Sequence, residues 1–445
     1  MSKSKQLDRL LIGWCLASVA LGVWLRVQHL ADPPGLAWDE HHFVRTAQNL
    51  LSGGRDWNDH PPLGKLLIAH GIHWFGDTAF GWRVSALASG LTNIVLAGLL
   101  AGRLFHSWRA GLIAAAFLAG DGFFIAYSRT ALLDGVVATF TLATACAAVR
   151  ARGAFGIGLA AVLLGLGCAV KFSAVVMLVP LVASALFGPA PRWAGLLLLL
   201  APLSYVGVYQ WGLLLQHRPH GVGDVIAATR ELYEHHAKLT DGKHMLISSW
   251  YSWLVPLKPI PMRYAEADGM VRSMTSMGNP LLWWAGSLAV LATLGALLRV
   301  AAERARAFVQ ARATPLSTIG ALAGAELWCL ALWAVPVLPW VLSRRDSYIY
   351  HYLPAYGFAV VLVAGKVATL IDARRRLGWL GLGAITLCSW WVSPVNAELP
   401  VTRTGYELRL WLPAWRRARQ KPPAPPPAAP PAFAPRAFAP RGAHS

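Results

Sequence analysis

Long apolar runs alternate with short polar segments along most of this chain. A helix that crosses the hydrocarbon core of a bilayer needs about 20 mostly apolar residues, and eleven runs are candidates for such helices. Their approximate bounds are 10–29, 83–102, 109–127, 132–149, 154–170, 173–188, 194–213, 281–300, 321–342, 348–370 and 377–392. The pattern therefore predicts an all-α polytopic membrane protein with about 11 transmembrane helices.

Two longer polar segments interrupt this pattern, at 30–82 and at 214–280. Both contain too many charged, His, Trp and Pro residues to cross a membrane. In the first, residues 38–51 can form a short amphipathic helix on the membrane face, and we expect such helices in both segments. The resulting parts are an N-terminal transmembrane module at 1–213, a second polar loop at 214–280, C-terminal transmembrane helices at 281–392 and a tail at 393–445. The Pro/Ala-rich end of the tail, from Pro422, is expected to be disordered.

The positions of the basic residues predict the orientation of the helices. Lys and Arg are enriched in cytoplasmic loops. Fifteen of them precede the first helix or lie in the short loops that eleven crossings place on the same side of the membrane. We therefore expect a cytoplasmic N-terminus, with both long loops and the C-terminus outside. The first apolar run is followed by Arg26 and His29 instead of a small-residue cleavage site, so we do not expect a cleaved signal peptide.

Composition agrees with a membrane protein and excludes several other classes. The 445 residues are 56% hydrophobic and only 14% charged, whereas soluble domains have about 45–50% and about 25%. This excludes a disordered chain, a fibrous protein and almost any soluble enzyme. The net charge of +19 comes mainly from residues between apolar runs, so no nucleic-acid partner is expected. The five Cys residues all lie inside apolar stretches and form no CxxC pair.

The first polar loop concentrates acidic and histidine side chains. It contains Asp39-Glu40, then His41 and His42, and later Asp59-His60. An acidic pair at the mouth of a membrane protein can be a solvated surface feature, but this concentration of acids and histidines favours a functional site. The adjacent His41 and His42 lack the i, i+4 spacing of a helical zinc pair. No metal or other cofactor is therefore predicted, and a divalent metal stays an open alternative.

Charged residues also occur within or directly between neighbouring apolar runs. Arg129 and Asp134 stand in AYSRTALLDG, and Lys171 stands in GLGCAVKFSA. Each such charge costs about 2.5–3.5 kcal/mol unless it is paired or faces a cavity, and the predicted topology puts all three near the outer surface. One interpretation is an Arg129–Asp134 ion pair that closes a tight helical hairpin. The other is a cationic site for the phosphate of a lipid.

Two further segments face the same compartment in this topology. The second loop contains His235, His236 and His244 before a Trp/Tyr run, which by itself is typical of an interfacial aromatic belt. The tenth apolar run opens with SRRDSYIYHYLPAYGF, which contains Arg344, Arg345, His351 and Tyr352. These residues either anchor the helix at the interface or contribute to a site.

The chemistry that these residues suit is group transfer from a lipid phosphate. The chain lacks GxxxxGK[ST] and HExxH, which argues against ATP hydrolysis and against a zincin protease. An outer-face site of carboxylates and cations remains. A carboxylate there can accept the proton of an acceptor hydroxyl, and the cations can stabilise a leaving phosphate.

Seven motifs follow one another from about Arg26 to the end of the tenth apolar run: WDEHHF, NDHPPLGK, WRVSALAS, AYSRTALLDG, GLGCAVKFSA, HAKLTDGKHMLISSWYSW and YIYHYLPAYGF. In this order they resemble the protein O-mannosyltransferases, polyprenyl- or dolichyl-phosphate-mannose-dependent enzymes with the C-type membrane glycosyltransferase fold. The family's eleven helices, inside N-terminus and outside C-terminus match the topology predicted above. The short second loop leaves no room for the β-trefoil insertion of eukaryotic members, so the chain resembles a compact form in a bacterial inner membrane.

The resemblance implies a role for several residues. Asp39 matches the catalytic base, and Glu40 matches its acceptor-side partner. The positions that match donor-phosphate handling are Arg129, Lys171, His351, Tyr352 and Arg26. Asp59, His60 and Asp134 are expected to shape the site.

The implied activity is inverting transfer of mannose, or another hexose, from a polyprenyl-phosphate donor to Ser/Thr hydroxyls of exported proteins. The implied partners are the sugar-lipid, the exported acceptor proteins and the bilayer, and protein-export machinery is a further candidate. Two alternatives stay open: the same donor class with a lipid or cell-wall glycan acceptor, and a transporter or flippase. Transporters often show paired repeats, whereas we find no repeat in this sequence, which favours an enzyme.

Overall fold

The computed structural model describes residues 3–32, 34–56, 59–149, 151, 153–187, 191–238, 244–309 and 324–417. The Pro/Ala-rich end of the tail, which was expected to be disordered, lies outside these ranges. So do Arg150, Arg152 and Arg312, three of the basic residues on which the predicted orientation depends.

The described residues form seventeen α-helices and three short strands. The helices are α1 (Lys3–Val27), α2 (Glu40–Leu51), α3 (Leu63–Phe75), α4 (Ala79–Leu104), α5 (Trp108–Gly120), α6 (Gly122–Ser128), α7 (Asp134–Ala148), α8 (Ala154–Val170), α9 (Leu178–Phe187), α10 (Gly195–Leu215), α11 (Val222–Ala237), α12 (Pro280–Val309), α13 (Gly324–Leu342), α14 (Leu353–Asp372), α15 (Arg376–Val392), α16 (Arg403–Arg409) and α17 (Pro413–Arg417). The strands are β1 (Pro261–Ala267), β2 (Met270–Thr275) and β3 (Val401–Thr402). Short 3₁₀ turns at Phe172–Met177 and Ile349–Tyr352 precede α9 and α14.

The long apolar helices make the chain a multi-pass membrane protein. Among the described residues, six helices are long and apolar enough to cross a bilayer, and the bent pair α5–α6 makes a seventh. The six are α1, α4, α10, α12, α13 and α14, and the shorter apolar segments α7, α8 and Phe172–Phe187 accompany them. Helix α14 lies at the centre of the bundle, since 78% of its most apolar stretch is buried inside the protein.

Asp121 holds the break between α5 and α6, which meet at an angle of 64°. One carboxylate oxygen accepts the backbone N–H groups of Phe123 and Phe124 at 3.0 and 3.2 Å and so caps α6. The other oxygen accepts the backbone N–H of Asn279 and the hydroxyl of Tyr356 at 2.9 and 2.8 Å. Four donors compensate the burial of this carboxylate, and the break fixes the point at which the chain leaves α6.

A small antiparallel sheet corrects the all-α prediction. Strand β1 pairs with β2 from Pro261↔Thr275 to Ala267↔Met270, and β2 pairs with β3 from the tail. The Asp268-Gly269 turn between β1 and β2 has φ values of 52° and 71°, a left-handed backbone that Asp and Gly adopt in two-residue hairpins. The second polar loop therefore contains strands as well as helix α11.

The first part of the tail packs against this sheet. Val271 of β2 is buried together with Val392, Val395, Tyr406 and Leu410 in one apolar cluster. The end of α15, the start of the tail and the second polar loop are therefore joined by a common core. This core lies beside the first polar loop, because Arg263 of β1 donates a hydrogen bond to the carbonyl oxygen of Gly35.

Candidate active site

Asp39 lies at the N-terminus of α2, the helix that was predicted over 38–51. The preceding residue, Trp38, has a φ of 41°, a left-handed conformation that bulky residues rarely adopt. The Asp39 carboxylate does not cap the helix. Burial raises the pKa of this carboxyl above its ordinary value, while nearby His42 and His41 oppose the shift. A carboxylate with a raised pKa that is not engaged in capping is suited to act as a general base.

Glu40, the neighbour of Asp39, is fully buried and saturated with hydrogen bonds. Arg83 donates to its two oxygens at 2.9 and 3.0 Å. The backbone N–H groups of Ala131 and Ala37 donate to the same oxygens at 2.8 and 2.6 Å. Adjacent residues in the sequence therefore have opposite environments. This geometry gives Glu40 a part in holding the loop, and its partner Arg83 was not among the residues that the sequence analysis selected.

A pocket between α7, the Phe172–Met177 turn, α13 and the start of α14 contains several of the predicted site residues. Its polar lining includes Asp134, Lys171, Tyr350 and His351. Lys171 Nζ lies 2.9 Å from Asp134 Oδ1 and 4.9 Å from the centroid of the Tyr350 ring. Asp134 is thus paired with Lys171, and the interpretation in which it pairs with Arg129 is wrong.

His351 presents an unpartnered nitrogen at this pocket. Its Nδ1 accepts the backbone N–H of Tyr348 at 3.1 Å, which leaves the proton of a neutral ring on Nε2. Nε2 is buried and has no hydrogen-bond partner among the described residues. The ring stacks on Trp340 at a centroid distance of 3.7 Å. A rigid, buried N–H donor beside a Lys ammonium is suited to bind an anion.

A chain of aromatic contacts connects the head of α2 with the pocket wall. Trp38 contacts His244 at a ring-centroid distance of 6.0 Å, and His244 contacts Tyr348 at 5.6 Å. Tyr348 in turn stacks on Tyr350 at 5.3 Å. Residues that are more than 300 positions apart in the sequence are therefore neighbours. The charge of Asp134 also acts on Asp39 and raises its pKa, as expected if the base and the pocket share one site.

Arg345 adds a second cation that the sequence analysis placed on this side without assigning it a role. Its guanidinium lies 5.9 Å from the Trp340 ring centroid, and burial lowers its pKa. With Lys171 it also lowers the pKa of His236, to about 4, after the larger effect of burial on that histidine. Lys171 and Arg345 therefore both act on the surroundings of His236.

The structure directs Arg129 and Arg26 to backbone carbonyl groups, and neither lines the pocket. Arg129 donates to the carbonyl oxygens of Leu25 and Gln28 at 2.9 and 2.7 Å. Arg26 is fully buried and donates to the carbonyl oxygen of Ala119 at 2.5 Å. Both guanidinium groups therefore join α1 to the α5–α6 region. Their part in donor handling stays a prediction.

Asp59 and His60 belong to a buried cluster around Lys65. The Lys65 ammonium contacts Asp56 at 2.6 Å, Asp59 at 3.1 Å and the carbonyl oxygen of His60 at 2.6 Å. Burial keeps the pKa of His60 well below its ordinary value, and the charge of Lys171 acts in the same direction. His60 is therefore neutral at physiological pH, and the cluster fixes the segment that follows α2.

Tyr352 lies in the core instead of lining the pocket. It is only 1% exposed, and its hydroxyl accepts the indole N–H of Trp333 at 2.9 Å. Its ring contacts Trp283 at a centroid distance of 5.5 Å. Of the two tyrosines that flank His351, it is Tyr350 that reaches the pocket.

The histidines around the site are not arranged as a metal centre. Within the ranges that the structure describes, no group of three or more His, Cys, Asp or Glu side chains could hold a metal ion. All five cysteines are free and buried, far from acting as a ligand set.

Two family models match the chain. "Dolichyl-phosphate-mannose-protein mannosyltransferase" matches residues 59–209, and "C-terminal four TMM region of protein-O-mannosyltransferase" matches residues 222–415. The chain belongs to the protein O-mannosyltransferase family. The matched ranges contain the pocket residues from both halves, with Lys171 in the first and His351 in the second.

Relatives of this protein O-mannosyltransferase align over nearly its whole length. The polyprenol-phosphate-mannose–protein mannosyltransferase of Mycolicibacterium smegmatis is 26% identical over 506 aligned positions, which cover 91% of this chain and 93% of the relative. The enzyme of the same name from Mycobacterium tuberculosis is 26% identical over 511 positions, which cover 92% and 93%.

Solved structures share the fold. A chain of the S. cerevisiae protein O-mannosyltransferase Pmt1–Pmt2 complex bound to the sugar donor matches with a TM-score of 0.75 at 12% identity, covering 92% of each chain. ArnT from Cupriavidus metallidurans in the apo state matches with a TM-score of 0.55 at 14% identity, covering 94% of this chain and 73% of ArnT. The chain therefore shares the fold of these two solved structures.

Proposed function

We propose that this chain transfers mannose from a polyprenyl-phosphate donor to Ser/Thr hydroxyls of exported proteins. The observation that carries the proposal is that the Asp39 carboxyl lies within electrostatic reach of Asp134, which lines the pocket together with Lys171 and His351. The chain also belongs to this family. The relatives that align over more than nine-tenths of the chain are named for the same donor and acceptor class. We also propose that the protein resides in a bacterial inner membrane.

Asp39 takes the proton of the acceptor hydroxyl as the oxygen attacks the anomeric carbon of the donor. The bond from that carbon to the phosphate oxygen breaks, and its electron pair leaves with the lipid phosphate. Lys171, Arg345 and the Nε2–H of His351 stabilise the charge that grows on this phosphate. One displacement from the opposite face inverts the anomeric centre, so no covalent sugar–enzyme intermediate forms.

The lipid chain of the donor has a matching path inside the membrane. A second, apolar pocket lies further along α7, against α9 and α13, and its lining includes Ala148, Met177, Leu181, Trp328 and Leu332. The first pocket opens between the same helices nearer Lys171. We infer that the phosphate binds at the polar end and that the isoprenoid units extend along the apolar one.

Eleven crossings complete this proposal. The six long helices and the bent pair α5–α6 provide seven, and we assign the others to α7, α8, Phe172–Phe187 and α15. In this topology the N-terminus is cytoplasmic, and Asp39, the sheet and the C-terminus lie outside.

The test uses purified protein in liposomes, mannose-labelled polyprenyl phosphate and a Ser/Thr-rich peptide. We expect label in the peptide. Label in lipid or glycan would instead support the alternative acceptor, and redistribution of intact donor between leaflets without transfer would support a flippase. Export machinery is absent from this assay, so transfer there would mean that it is not required.

A further inference from the structure

We propose that Glu398 and Arg263 are positioning residues that hold the base in its active geometry. The inference rests on the proposed function, because Asp39 is the base in question. The segment concerned is the Asp39 loop, defined as the described residues 28–32 and 34–40 between α1 and α2. Neither positioning residue lies in the two pockets.

Arg129 fixes the beginning of the Asp39 loop. It donates to the carbonyl oxygens of Leu25 and Gln28 at 2.9 and 2.7 Å and to that of His29 at 3.3 Å. These carbonyl groups end α1, where a helix has unsatisfied acceptors and a partial negative charge. The cation therefore stops α1 and sets the direction in which the loop starts.

Arg83 fixes the middle and the end of the loop. It donates to the carbonyl oxygens of Leu30 and Gly35 at 3.0 and 2.8 Å. Its ion pair with Glu40, at 2.9 Å, holds the residue that follows Asp39. We use the word clamp for the contacts that Arg129, Arg83, Arg263 and Glu398 make around the Asp39 loop. The two arginines described so far, Arg129 and Arg83, belong to the helix bundle, so their part of the clamp does not involve the sheet.

Arg263 and Glu398 bring the sheet into the clamp. Arg263 donates to the Gly35 carbonyl oxygen that also accepts from Arg83. The Glu398 carboxylate lies 3.3 Å from Arg263 and 3.6 Å from Arg129, through different oxygens. Glu398 is only 9% exposed, and its backbone N–H donates to the carbonyl oxygen of Ser273 in β2 at 3.0 Å.

One carboxylate thus holds together two cations that bind different parts of the same loop. Without it, Arg129 and Arg263 would repel each other, because like charges that share a buried site disfavour one another. The Asp39 loop would then gain freedom although no pocket residue had changed. A shift of about 1 Å in a catalytic group can reduce a rate about 100-fold.

The test compares Glu398→Gln, which keeps the shape and removes the charge, with Glu266→Gln in the same sheet. Glu266 forms an ion pair with Arg403, at 3.2 Å, on a partly exposed surface. We expect Glu398→Gln to lower kcat at least about 10-fold and to leave KM for the lipid donor within about twofold, since the pocket is intact. Glu266→Gln should match wild type in both quantities.

Hydrogen exchange measured by mass spectrometry reports the mobility of the Asp39 loop independently of mannose transfer. We expect faster exchange in the Asp39 loop of Glu398→Gln, unchanged exchange in α14, and wild-type exchange throughout Glu266→Gln. Arg263→Lys keeps the charge but cannot offer the two forked contacts, so it should show a smaller change of the same kind. If Glu398→Gln does not fold, Arg263→Lys tests the proposed positioning role in its place.

Wild-type kcat and wild-type loop exchange in both Glu398→Gln and Arg263→Lys would overturn the inference while mannose transfer still stood. If instead the wild-type chain transferred no mannose, the proposed function would fail. Faster loop exchange in the variants would then still establish the clamp.

Discussion

Asp39 and Glu40 are adjacent acids whose carboxylates differ in their hydrogen-bond partners. Glu40 accepts four hydrogen bonds, two of them from the buried Arg83, whereas the Asp39 side chain makes no capping bond to α2. The sequence could predict that this pair is functional. It could not show by chemistry alone which of the two acids is the base. The Arg83 that donates hydrogen bonds to the Glu40 carboxylate is 43 positions away in the sequence.

Asp39→Asn should therefore reduce transfer by about 10²–10⁴-fold, the usual contribution of a general base. It should not lower the melting temperature, because burial disfavours the ionised form that the substitution removes. Glu40→Gln should instead lower the melting temperature, since an unpaired buried Arg83 costs about 3–5 kcal/mol of stability. Transfer assays and thermal melts of both variants check this. Near-normal transfer by Asp39→Asn would refute its role as the base.

The pH dependence of transfer follows from the same group. Asp39 works only when ionised, and burial raises its pKa above the ordinary value, which is about 4 for a free Asp. The rate should therefore fall on acidification at a higher pH than an ordinary Asp would give. A profile of kcat/KM for the wild type measures this loss. The small residual rate of Asp39→Asn should not show this loss on acidification. If it does, the titrating group is not Asp39.

His351→Asn tests the anion site with little disturbance of its surroundings. Asn can still accept the Tyr348 N–H that Nδ1 now accepts, while the Nε2–H at the pocket is lost. One hydrogen bond to a charged group is worth about 1.5–3 kcal/mol, so donor affinity should fall about 10- to 100-fold. Thr141→Val alters a hydroxyl in the same pocket and should leave donor binding within about threefold. Equal affinities for the two variants would exclude His351 from the site.

At the scale of the element, the crossing of α1 and α5 depends on a missing side chain. A Cβ on Gly22 would collide with the backbone carbonyl of Ala119, whereas a Cβ on Gly13 of the same helix would meet open space. Gly22→Ala should cost about 1–3 kcal/mol through overpacking, and Gly13→Ala should be neutral or stabilising. Thermal melts of the detergent-solubilised variants compare them. Equal melting temperatures would mean that α1 can move away from α5.

Element types were predictable where a regular pattern was long, and less so where contacts decide. The apolar runs indicated the long helices, and 38–51 anticipated α2. The hairpin was missed although Asp268-Gly269 is a turn signal, because β1 and β2 are short and their neighbour β3 comes from the tail. Arg129 was assigned to a phosphate from its predicted depth and from the family resemblance. Its carbonyl partners cannot be identified from the sequence, since every residue has a carbonyl group.

At the scale of the whole molecule, the proposed orientation has a direct test. A reporter fused after Arg376, the first residue of α15, should read as cytoplasmic because positive residues stay inside. A reporter at the C-terminus should read as extracytoplasmic. The reverse pair would put Asp39 on the cytoplasmic side and contradict access to exported acceptors. Two reporters on the same side would show that α15 does not cross the membrane.

The clamp around the Asp39 loop joins parts of the chain that are made at very different times. Gly35 is synthesised early, but the strand that carries Arg263 follows 228 residues later, and Glu398 comes near the end of the described chain. A nascent chain that has inserted every helix up to α14 therefore still lacks the carboxylate that joins Arg129 to Arg263. A chain truncated before residue 398 would keep its pocket, but only the contacts of the arginines would hold its Asp39 loop.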